Sequence, residues 1–176
     1  MNVQDLIVNS IRHSVVEIFS TMLASEIQPG EVVVEPASPE ANDGVVSFIG
    51  IAGTWTGAGS ITCSPPLACR ICSQMLLSEA PAVNEDVLDA VAELTNMIIG
   101  NVKSDLEGHL GPLGLSIPTV IFGRNFRTKS AGNADWIVER FSWEGEELLV
   151  KMCLAPTEKT GQNIPHATTH SCPMDI

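Results

Sequence analysis

Basic residues are scarce in this chain. Nine Lys and Arg stand against 21 Asp and Glu, a formal net charge of -12 over 176 residues. A nucleic-acid binder needs clustered Lys and Arg to neutralise phosphates, so the charge argues against that class. It argues against an anionic membrane surface on the same ground. Long apolar runs are missing too. The chain is 44% hydrophobic, yet no run approaches the roughly 18 residues of a membrane span. Asp5, Asn9, Arg12 and Glu17 interrupt the first apolar residues at helical spacing, and no basic segment precedes them. That is not a secretory signal, and the expectation is a cytoplasmic protein. No GxSxG, P-loop or GxGxxG motif occurs.

The five cysteines are odd in number and scattered: Cys63, Cys69, Cys72, Cys153 and Cys172. This fits reduced thiols rather than a disulfide framework. Cys69-x-x-Cys72 invites a zinc reading, with Cys63 as a third ligand and His166, His170 or Cys172 as a fourth. The pair falls among apolar neighbours in a short helix, so buried structural thiols are the better reading, and no metal is expected. Trp136 and Trp143 read as core or interface, and on an edge strand they would favour pairing of two chains.

The size fits one domain, residues 1–155, with an aperiodic tail over 156–176 expected to be mobile. Residues 3–25 form an apolar-striped helix that gives way at Pro29-Gly30. Strands follow at 31–35, 45–51 and 57–63, the last two as a hairpin over Gly53 to Thr56. The segment 36–44, rich in Pro, Asn and Asp, reads as a loop. Pro65-Pro66 opens a short helix, as proline is tolerated at a helix start. Asn84 reads as the N-cap of a long helix that runs to Leu110 and stops at Gly111-Pro112. A strand at 119–122, a polar loop at 123–132 and a hairpin of 135–143 with 147–154 complete the order. Leu148, Val150, Met152 and Leu154 should point inward, with Lys151 and Cys153 opposite. The predicted architecture is α+β in the order α-β-β-β-α-α-β-β-β, with long helices on a mainly antiparallel sheet.

The long helix carries the most information. At about 100° per residue, Val87, Leu88, Val91, Leu94, Ile98, Val102 and Leu106 gather on one side. Asp89, Glu93, Asn96 and Gly100 then fall on the opposite side. Glu93 and Asn96 are three apart and point the same way. Gly100 costs roughly 1 kcal/mol relative to alanine in a helix, which suggests close approach of a partner there. On its own, a Glu and an Asn on an outward helix face are as a rule just solvated. Lys103 reads as a solvated lysine near Asn96, able to contact an acidic partner. His109 sits where an imidazole favours the helix dipole.

The pattern Glu93-x-x-Asn96-x-x-x-Gly100 resembles the signature of the CheC/CheX/FliY family of response-regulator phosphatases, most closely its CheX branch. Ile49-Gly50-Ile51-Ala52-Gly53 with Gly57-Ala58-Gly59-Ser60-Ile61 resembles that family's paired central strands. Pro118-Thr119-Val120-Ile121-Phe122-Gly123-Arg124 resembles the strand after its signature helix. Three segments in this order are far more specific than the helix pattern alone.

The resemblance implies a phosphatase acting on the aspartyl phosphate of a CheY-like receiver. It makes Asn96 the residue that orients the attacking water and Glu93 the partner of the receiver's active-site lysine. Gly100 would admit the receiver's loops, and Asp89 would sit at the docking rim. The receiver brings Mg²⁺, so no cofactor is expected on this chain. Strand-mediated homodimerisation is also implied. The first helix echoes the signature as Glu17-x-x-Ser20, where a hydroxyl replaces the carboxamide, so one site per chain is expected. The alternative reading is a non-catalytic adaptor that binds receivers or flagellar-motor proteins.

Overall fold

The computed structural model describes residues 2–38, 40–129 and 132–158. Three helices cover one face of a seven-stranded antiparallel sheet. The elements are α1 (Val3–Met22), β1 (Gln28–Glu35), β2 (Glu40–Gly53), β3 (Trp55–Cys63), α2 (Pro65–Leu76), α3 (Glu85–Leu110), β4 (Leu113–Leu115), β5 (Thr119–Thr128), β6 (Trp136–Trp143) and β7 (Glu146–Pro156). The strands lie in the order β1-β6-β7-β3-β2-β4, and β5 also pairs with β2. β2 is long enough to hold both neighbours end to end. Residues 51–53 pair with β4, and most of residues 40–48 pair with β5.

The predicted α+β order holds, with one strand added. β4 is three residues long, and its pairing depends on register with β2 rather than on any pattern of its own. Two loops shorten. The polar segment before Val45 is strand from Glu40, and β5 runs on past Phe122 to Thr128. These extensions pair with each other, and Asn42 Nδ2 donates to Thr128 Oγ1 at 2.8 Å. Polar side chains suit a two-stranded ribbon that leaves the body of the sheet. β6 lies between β1 and β7, so neither Trp136 nor Trp143 is on an edge strand. Trp143 is core: its indole N–H donates to Ser25 Oγ at 2.7 Å and its ring meets Phe19 edge to face at 5.2 Å.

Alternation places Leu148, Val150 and Met152 under the helices, fully buried. Lys151 and Cys153 lie on the far face as expected, yet each is only 5% exposed. The β2 extension carries Glu40 to this face, where its carboxylate pairs with Lys151 Nζ. Phe48, Ser60, Trp136 and Lys151 line a cavity of about 650 Å³ beneath it. Pro156 closes β7 opposite Trp55, and Thr157 bonds to the carbonyls of Gly53 and Thr54. Residues 159–176, most of the expected tail, lie outside the described residues.

α3 is seated on the sheet by one glycine. A β-carbon at Gly59 would fall 2.7 Å from Ile99 Cδ1, 2.8 Å from Cγ1 and 3.0 Å from Cγ2. Ile99 fills the space that a side chain on β3 would take. α1 holds α3 from the side, where Ser14 Oγ donates to the Ile98 carbonyl at 3.0 Å. Under α1, Arg12 Nε donates to Glu139 Oε1 at 2.8 Å. Glu139 is fully buried, and burial pushes its carboxyl above the usual range while Arg12 pulls it back. Gly59→Val should overfill the seat, costing about 3 kcal/mol. A Gly59→Ala chain should be less damaged, and adding Ile99→Val should recover part of that loss. Urea unfolding of the three chains checks both expectations.

Candidate functional site on helix α3

The local chemistry that starts α3 is visible in its first turn. Asn84 caps it by accepting from the Val87 N–H at 3.0 Å, and Glu85 and Asp86 favour the positive end of the helix dipole. The buried face comprises Val87, Ala90, Val91, Leu94, Thr95, Ile98, Ile99, Val102 and Leu106. It is broader than the predicted stripe. Leu88 is half-buried, while Thr95 and Ile99 are fully buried. Thr95 tolerates this because its hydroxyl donates to the Val91 carbonyl at 2.7 Å.

Asp89, Glu93 and Asn96 are all exposed, as their spacing predicts, and Gly100 is half-buried. Within the described residues, none of the three side chains makes a hydrogen bond or ion pair. Lys103 and Glu107, further along α3, are by contrast paired. Glu107 accepts from Lys103 Nζ at 2.9 Å and from the Leu113 N–H at 2.9 Å. The Leu113 N–H, then Lys103, holds its carboxyl below the usual range. Lys103 is therefore not the solvated lysine that its spacing suggested. It belongs to a link that ties the end of α3 to β4.

The echo of the motif in α1 is committed as well. Ser20 Oγ donates to the Glu17 carbonyl at 2.9 Å, and Glu17 lies 3.8 Å from His13 Nε2. A short hydroxyl folded back on its own helix presents nothing outward.

Gly100 meets little. A β-carbon there would have a single neighbour within contact range, Leu115 Cδ1 at 4.0 Å. No packing inside the described chain demands glycine at this point. Leu115 is a neighbour that sequence reasoning missed, since nothing local marks a three-residue strand that reaches the helix through β2.

The cysteines are not part of this site. Cys63 and Cys72 are buried, Cys69 is half-buried, and all are free thiols. Burial, then Cys69 and Glu146, pushes Cys63 up to about 12, and burial raises Cys69 and Cys72 as well. They are protonated and inert at neutral pH. Among the described residues, no group of three or more His, Cys, Asp or Glu is placed to hold a metal. His166, His170 and Cys172 fall outside those residues. Nor is any described helix long and apolar enough to cross a membrane.

An exposed carboxylate and carboxamide one turn apart, beside an unfilled helix position, can meet a cation and orient a water on one face. Residues 45–142, which include all of α3, match the family model described as chemotaxis phosphatase CheX. The chain belongs to the CheX family. It is 33% identical over 131 residues to the CheY-P phosphatase CheX of Thermotoga maritima, covering 72% of this chain and 81% of that protein. A CheC-like superfamily protein from Shewanella sp. PV-4 superposes with a TM-score of 0.76 at 28% identity, covering 88% of this chain and 99% of the other. The chemotaxis protein CheX from Vibrio vulnificus gives 0.75 at 27% identity, covering 85% and 99%. The shared fold thus accounts for most of the chain.

Gly100→Ala should raise the stability of the chain by about 1 kcal/mol, since helix propensity improves and nothing clashes. Thermal melting of the isolated protein checks this. A loss of stability would mean that the glycine serves internal packing.

Proposed function

We propose that this chain hydrolyses the aspartyl phosphate of a CheY-like response regulator; its Thermotoga maritima relative is named a CheY-P phosphatase. The observation that carries the reading is the pair Glu93 and Asn96, exposed, uncommitted and on one face of α3. An acyl phosphate is already reactive. What the enzyme must add is an in-line water and stabilisation of the developing charge. A carboxamide suits that work. Its oxygen accepts from the water, and its nitrogen donates to a phosphoryl oxygen. A carboxylate in its place would repel the phosphate.

Asn96 is the water-orienting residue in this reading. Glu93 pairs with the receiver's active-site lysine, an ion pair made and partly desolvated only on docking. Gly100 leaves room for the receiver's loops, with Asp89 at the rim. Mg²⁺ arrives with the receiver. Both the acidic surface and the substrate class fit a cytoplasmic enzyme that touches neither membrane nor nucleic acid. The free edge of β5, where Ile121 and Phe122 are exposed, supports a homodimer joined strand to strand.

The test is the decay of a phosphorylated CheY-like receiver from the same organism, with Mg²⁺, with and without the protein. The wild-type chain should accelerate it. Asn96→Ala should lower the stimulated rate by about a hundredfold with little loss of docking. Glu93→Ala should weaken docking and rate together, by about tenfold or more. Neither change should unfold the chain. Binding without faster decay would leave the adaptor reading. For the dimer, light scattering should find twice the chain mass, and Phe122→Asp should shift it to the single-chain mass by placing like charges at the shared edge.

A further inference from the structure

The segment between β4 and β5 runs beside the C-terminal end of the site face. Leu115 pairs with Ile51 and lies against Gly100. Ser116 is pinned to β2 twice. Its N–H donates to the Gly50 carbonyl at 2.9 Å, and its hydroxyl accepts from the Gly50 N–H at 2.8 Å. The same hydroxyl donates to the Ile117 carbonyl at 3.1 Å. Pro118 follows, and a residue before proline is restricted to extended backbone. The backbone of Ile117 is thus held on both sides, while its side chain is 88% exposed.

The position of Ile117 follows from the pairing with β2. Ser116 Oγ lies 3.2 Å from where a Gly50 β-carbon would sit, on the face away from the helices. The register slips by one residue between Ser116, opposite Gly50, and Thr119, opposite Phe48, so Ile117 and Pro118 together oppose Ile49, whose side chain is buried on the helix side where Leu115 meets Gly100. Single exposed isoleucines are ordinary. This one stands on a rigid rim next to a helix position with no side chain, and the same helix face carries three uncommitted polar residues. A fixed apolar anchor beside a polar cluster is what a protein partner fits, because little freedom is lost when it is covered.

We infer that Ile117 is the apolar anchor of the docking face and sets its affinity for the receiver, while the polar pair carries the chemistry. The inference rests on the receiver reading above and deepens it. The occupant is a phosphorylated receiver with an apolar patch beside its acyl phosphate and a lysine that meets Glu93. The exposed carboxylates of this face, Asp89 and Glu93, complement that lysine and disfavour a second copy on the same face.

Ile117→Asp and Ile117→Leu separate the roles. Binding is measured to a beryllofluoride-activated receiver with Mg²⁺, and KM and kcat to the phosphorylated one. Ile117→Asp should weaken binding and raise KM by about tenfold or more, with kcat within about twofold of wild type. Ile117→Leu should restore both. Asn96→Ala should show the opposite split, with binding kept and turnover lost. Unchanged binding in Ile117→Asp overturns the inference while leaving the phosphatase reading intact. So does a fall in kcat at unchanged KM. If the activated receiver does not bind the wild-type chain, both readings fall together.

Discussion

The close seat of α3 on β3 governs the rest of the molecule. Ile99 occupies the space above Gly59 that a side chain there would need, which lets α3 approach β3 closely at this point. Together with the packing of α1 and α2, that seat decides which residues of α3 are buried. Thr95 and Ile99 go under, and the stripe from Asp89 to Gly100 stays at the surface. A seat made by filling a missing side chain has a steep repulsive wall, so it sets position better than an ordinary apolar contact would.

From that seat the fold builds a division of labour among polar groups. Those that hold elements together are engaged: Ser14 with Ile98, Arg12 with Glu139, and Glu107 with both Lys103 and Leu113. Those on the outward stripe of α3 are not. Asp89, Glu93 and Asn96 keep their bonding capacity for a partner, a state they share with exposed Asn101 and Asp105 on the same helix. Ser20, the counterpart of Asn96 in the α1 pattern, donates its hydroxyl to the Glu17 carbonyl. The asymmetry between α1 and α3 is thus chemical as well as compositional.

Much of this was legible in the residues. The helix stripe, the Asn84 cap, the stop at Gly111, the β2–β3 hairpin and the inward residues of β7 all follow from local periodicity and turn chemistry. The polar segments at 40–44 and 123–128 were read as loops because a strand pattern needs a buried face, and this ribbon has little of one. The burial of Lys151 was hidden for a related reason. Its cover comes from Glu40, more than a hundred residues away along the chain. Trp136 and Trp143 read as core or interface, and pairing of their strand with β1 on one side and β7 on the other settles Trp143 as core.

What the sequence by itself determined is the outward stripe of α3: Asp89, Glu93, Asn96 and Gly100 share a face because spacing on a helix is fixed by its 3.6-residue turn. Only the tertiary structure decided what stands beside that stripe. β4 reaches Gly100 through its register with the far end of β2, and Ile117 stands on the rim because Ser116 is bonded to Gly50. Those placements depend on pairings between residues about 65 apart in the chain, and no local pattern encodes them.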